Sequence, residues 1–80
     1  MKGEHFICEG SRLAGKSVEW IRKNIEDLVI LSVKPGLNGE TIDNSYLDEY
    51  KLRGGDYIKI VGTPESTLKL INMSIRSYNN

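Results

Sequence analysis

The sequence predicts an α+β domain, a single two-layer sandwich with the element order β-α-β-β-β-α. Three observations point there. Short β-like runs rich in Ile and Val alternate with two stretches of helical spacing. The glycines and both prolines fall where one periodicity gives way to another. At 80 residues the chain has room for one small core, which two layers of secondary structure can cover.

The elements follow in order. "EHFICE", Glu4 to Glu9, alternates His5 and Ile7 against Phe6 and Cys8 and ends at Gly10, a short strand. Val18, Ile21 and Ile25 then recur at helical spacing, with Glu19, Arg22 and Lys23 on the other side, predicting a helix from Lys16 or Ser17 to near Asn24. "LVILSVK", Leu28 to Lys34, is the most apolar run and stops at Pro35-Gly36, which predicts a central strand buried on both faces. A hairpin connection leads to a short strand at Glu40 to Ile42, and "DNSYLDEYKLRGG" reads as a loop with one irregular helical turn. "DYIKIVG" is a strand with Ile58 and Ile60 inward. A second helix opens with Thr63 as N-cap and Pro64 at the first helical position, with Leu68, Ile71 and Ile75 marking its buried side. "RSYNN" reads as a fraying tail. One domain spans residues 1–80, with its core over about 4–75.

Eleven basic and eleven acidic residues cancel, and no basic run occurs, so the composition does not favour nucleic acid or an anionic membrane. One cysteine, Cys8, excludes an intrachain disulfide. No stretch approaches the length of a membrane span or of a signal-peptide core, which makes a reducing cytoplasm the expected address. His5 and Cys8, three apart on a strand, face opposite ways, and neither a second histidine nor a second cysteine exists to complete a metal half-site. Cys8 reads as a small buried hydrophobe. No serine or threonine sits in a nucleophile elbow, and the carboxylates are dispersed, so no enzyme activity is expected.

Gly54-Gly55-Asp56 has the composition of a phosphate loop but the wrong context, because it leads into a strand and not into a helix. The physical reading is a tight turn in which a glycine takes a positive φ and Asp56 accepts from nearby backbone amides.

"LAGKSV" before a helix, the apolar "LVILSVK" strand and the closing "LRGGDYIKIVGTPESTLKLI" resemble, in order and spacing, the TrkA-C family. This is the C-terminal domain of the regulator-of-potassium-conductance (RCK) modules. Leu13, Gly15, Lys16, Ser17, Val33, Gly36, Leu52, Gly55, Asp56, Ile58, Ile60, Gly62 and Leu68 carry the likeness, which covers roughly Glu4 to Met73. The resemblance implies a homodimer that regulates a membrane cation channel, transporter or antiporter from the cytoplasm, beside an RCK nucleotide-binding domain or a membrane subunit. It implies no cofactor beyond a regulatory ligand, a cyclic dinucleotide or a small ion. Arg22, Lys23 and Lys34 are the candidate anion contacts. The alternative is a β-grasp-like interaction module with no small ligand. Against it, that fold starts with a hairpin and its carrier versions end in Gly-Gly, whereas this sequence closes on Tyr78-Asn79-Asn80.

Overall fold

The computed structural model describes residues 1–76; the expected tail after Arg76 lies outside them. The elements are β1 (Lys2–Phe6), α1 (Val18–Asn24), β2 (Leu28–Pro35), a 3-10 turn (Leu47–Glu49), β3 (Asp56–Gly62) and α2 (Pro64–Ser74). The three strands form one antiparallel sheet in the order β1-β3-β2. β1 and β2 are therefore parallel to each other, and α1 carries the crossover between them, leaving a gap that β3 fills.

β3 sets the two layers. Ile58 and Ile60 are fully buried while Lys59 and Val61 are exposed, so both helices cover one face and leave the other open. α1 packs over β2, and α2 over β3 and β1. Between the layers lie Ile7, Leu13, Val18, Ile21, Ile25, Ile30, Val33, Leu52 and Leu70. The α+β two-layer class is as expected, and so are Val18, Ile21 and Ile25 on the buried side of α1. Ser17 caps that helix by accepting from the Trp20 amide at 3.0 Å.

Four expectations need correction. β2 is an edge strand and not the central one. Val29 and Leu31 stand 52% and 38% exposed on its open side, because β3 pairs with both other strands and takes the centre. A bulge inserts Leu31 between the Ile30–Ile60 and Ser32–Lys59 pairs. The short strand at Glu40 to Ile42 reduces to one bridge, in which Val33 and Ile42 exchange backbone hydrogen bonds of 3.0 and 2.7 Å. β1 begins at Lys2 and ends at Phe6, and Cys8, beyond it, is only half-buried.

The fourth correction concerns the roll of α2. Ser66, Thr67, Leu70 and Ser74 face inward, whereas Leu68 and Ile75 are 59% and 51% exposed. Polar anchoring sets this roll. The Ser66 hydroxyl donates to the Asp27 carbonyl at 2.9 Å, and Thr63 Oγ1 accepts from the Ser66 amide at 3.1 Å. Gly62 leaves no room for a side chain there, since a Cβ would stand 2.5 Å from Ser66 Oγ. With Ser66 fixed inward, Leu70 one turn later enters the core, Leu68 and Ile75 turn away, and Ile71 is left half-buried.

Candidate functional site

Arg22, Lys23 and Lys34 do not form one cluster. Arg22 leaves α1 to donate through Nε to Asp48 Oδ1 at 2.7 Å and through Nη2 to the Ile30 carbonyl at 3.2 Å. Its guanidinium thus ties α1 to the 3-10 turn and covers an edge carbonyl of β2, a use that engages both ends of the fork. Lys23 pairs with Glu19 one turn back at 3.4 Å, on the exposed side of α1. Lys34 stands opposite Tyr57, at the far end of β2 from Leu28, which pairs with Gly62. At the rise of a strand the two ends of β2 are about 20 Å apart, so a single phosphate cannot touch Lys23 and Lys34 together.

Lys23 instead lines a cavity of about 300 Å³ between the end of α1 and the start of α2, together with Glu26, Asp27, Thr63, Glu65 and Lys69. Two features shape its wall. Asp27 takes a positive φ of 59°, uncommon outside glycine, to turn the chain from α1 into β2. Its carbonyl accepts from both the Ser66 hydroxyl and the Thr63 amide. Three carboxylates face two ammonium groups, so the cavity suits a polar or cationic group better than a phosphate. Sequence reasoning singled out Lys23 but missed Asp27, Glu65 and Lys69. No spacing in the sequence signals this, since "IEDL" and "TPES" lie far apart along the chain and meet only through the Leu28–Gly62 strand pair.

The glycine-rich stretch is a structural corner. Gly55 has a φ of +97° and lies in open space, whereas a Cβ on Gly54 would stand 2.6 Å from Glu9 Cα. Asp56 is 3% exposed, and one of its oxygens, Oδ2, accepts from the Arg53 amide and from the Tyr50 hydroxyl, each at 2.8 Å. Burial first, and then the bond to Asp56, raise the Tyr50 phenol above its ordinary 10.0. The turn also receives the incoming strand, since the Gly55 amide donates to the Ile7 carbonyl at 2.8 Å. Its inward polar groups are spent on the chain itself.

Cys8 is a free thiol and half-buried. The Nε2 atom of His5 and the hydroxyls of Ser11 and Thr67 are buried and find no hydrogen-bond partner among the described residues. Among the described residues no three His, Cys, Asp or Glu side chains group to hold a metal ion, and no helix is long and apolar enough to cross a membrane. The larger feature is apolar exposure. Val29 and Val61 lie side by side on the open face of the sheet with Leu31 near them, Phe6 packs edge-on against Tyr57 at 5.1 Å, and Leu68 and Ile75 project from α2. No protein-family model and no curated protein matches this chain.

Proposed function

We propose that this domain is a cytoplasmic regulatory module of a cation channel, transporter or antiporter, working without catalysis as a homodimer whose arrangement a small ligand biases. One observation carries the binding part of this reading: α2 and the open sheet face display Leu68, Ile75, Val29 and Leu31 to solvent. Exposed apolar groups on so small a domain point to contact with another protein surface. The transport assignment is supported by the ordered motifs "LAGKSV", "LVILSVK" and "LRGGDYIKIVG" and by the β-α-β order into which they fold. Regulation then follows population-shift logic, in which a ligand that prefers one dimer arrangement draws the attached gate toward it.

The second reading, an interaction module with no small ligand, is favoured by the dispersal of Arg22, Lys23 and Lys34 and by the engagement of Arg22 with Asp48 and Ile30. Titration separates the two. The domain is melted alone, with a cyclic dinucleotide, and with K⁺ or Na⁺ at constant ionic strength. A ligand at a hundred times its Kd stabilises by about 2.7 kcal/mol, which raises the Tm of a domain this size by on the order of 10 °C. No rise with any of them removes ligand regulation and leaves the interaction module.

A further inference from the structure

β1 is an edge strand whose outer side faces no other strand among the described residues. Its hydrogen-bonding polarity can be read from its ends. Met1 and Gly62 bond to each other through their backbones, the Ile7 amide donates to the Asp56 carbonyl, and the Ile7 carbonyl accepts from Gly55. Antiparallel ladders alternate, so the odd-numbered residues turn toward β3. The amides and carbonyls of Lys2, Glu4 and Phe6 turn outward, and their side chains lie on the open face of the sheet.

We infer that this edge is the seam of a homodimer, β1 pairing antiparallel with β1 of a second copy about a two-fold axis at Gly3. Charge selects the register. With Gly3 on the axis, Lys2 lies directly opposite Glu4 of the partner subunit, and Glu4 opposite the partner subunit's Lys2, on the same exposed face. Sliding the pairing by two residues either way sets lysine against lysine or glutamate against glutamate, which is unfavourable across strands. Sliding by one breaks the alternation of bonding groups.

A second observation meets the first. Lys69 and Glu65 line the cavity that separates α2 from the end of α1. At about 100° per residue Ile71 lies nearly opposite Lys69, and Ile75 and Leu68 lie on the same outer stripe. That stripe therefore overlooks β1 and its free edge. Helical and strand rises place Leu68, about five residues into α2, near the level of Gly3. Edge pairing brings the two α2 helices together on one face of a six-stranded sheet, and Leu68, Ile71 and Ile75 are covered by their counterparts. The stripe has the periodicity of a core because it becomes one in the dimer.

This interface gives the partner of the homodimer proposed above and does not depend on its ligand. Sedimentation equilibrium of the chain tests it, and the expected species is twice the 9.0 kDa monomer. Lys2→Glu and Glu4→Lys, each creating two like-charge pairs, should weaken the dimer about 10-fold or more, and combining them should restore it. Leu68→Asp, at a surface position, should weaken it at least as much, about 10-fold or more, with the circular dichroism spectrum retained. A monomer at the highest soluble concentration overturns both this seam and the homodimer. A dimer indifferent to the charge swaps and to Leu68→Asp overturns the seam alone and leaves the dimer of the regulatory reading standing elsewhere.

Discussion

Replacing Asp56 tests whether the turn before β3 is held by its own carboxylate. The side chain is 3% exposed, and a single oxygen takes two hydrogen bonds of 2.8 Å, from the Arg53 amide and the Tyr50 hydroxyl. Asp56→Ala removes both and strands a backbone donor in a closed corner. Hydrogen bonds to a charged group contribute about 1.5–3 kcal/mol each, and the two share one acceptor, so a loss of about 3 kcal/mol is expected. The whole domain commands only about 4–12 kcal/mol, which makes this a large fraction. Asp56→Asn is the control. One amide oxygen has lone pairs for both donors, so only the charge assistance disappears, about half of the effect or roughly 1.5 kcal/mol. Urea unfolding followed by the fluorescence of Trp20, the single tryptophan, reads both. With m near 1 kcal/mol/M the midpoint should fall by about 3 M for alanine and by about half that for asparagine. A loss for Asp56→Ala within about 0.5 kcal/mol, the range of ordinary surface changes, or an asparagine variant as unstable as the alanine one, would refute the reasoning.

Three further outcomes follow from the same geometry. Gly54→Ala drives a Cβ to 2.6 Å from the Glu9 backbone and should cost about 2 kcal/mol or more, whereas Gly55→Ala meets only the strain of a positive φ, about 1 kcal/mol; urea midpoints in the opposite order would undo this account of the turn. The folded state holds the Tyr50 proton more tightly than the unfolded chain does, so this contribution is complete below pH 10 and is lost as pH rises through the raised value. Alkaline denaturation of the wild type compared with Tyr50→Phe should show it as a steeper decline in the wild type, and parallel profiles would contradict it. Arg22→Ala should lower stability by about 1 kcal/mol and, by uncovering the Ile30 carbonyl on the edge of β2, increase aggregation measured by light scattering; a variant as soluble as the wild type would show that the edge needs no cover.

Much of the fold was legible because local chemistry and tertiary placement agree. Thr63 and Pro64 start α2 where a capping hydroxyl and a fixed φ are wanted. Gly55 and Asp56 turn the chain where alternation begins, and Val18, Ile21 and Ile25 face inward as their spacing requires. The order of strands in the sheet was not legible. An apolar run such as Leu28 to Lys34 reads as a strand buried on both faces, but apolarity carries no information about which neighbour supplies the second edge. Here β3, with its charged Lys59, takes the middle, and β2 exposes Val29 and Leu31. The candidate site fared worse for a related reason. Arg22 and Lys23 are adjacent in sequence, yet they point to different tasks, one across to Asp48 and Ile30 and the other toward the cavity beside Thr63. Sequence spacing within a helix gives direction, whereas engagement depends on elements far along the chain.

α2 makes the sharpest case, because its sequence contains two stripes that compete for the core. Leu68, Ile71 and Ile75 are the more apolar, and by transfer free energy alone they should face inward. The stripe that wins is Ser66, Thr67, Leu70 and Ser74. Burying hydroxyls is unfavourable unless they are bonded. Ser66 meets that condition through the Asp27 carbonyl and Ser74 through the Ile71 carbonyl at 2.8 Å, while Thr67 Oγ1 has no partner among the described residues. A single chain gains little by hiding small polar residues while leaving Leu68 and Ile75 in water. The bonds of Ser66 and Ser74 hold the roll within the chain, and in the proposed dimer the edge of β1, which faces no other strand among the described residues, lies on the flank where a second copy would cover the outer stripe. Under the proposed β1 seam, the sequence pattern of α2 would serve two interfaces on one helix, one within the chain and one between chains.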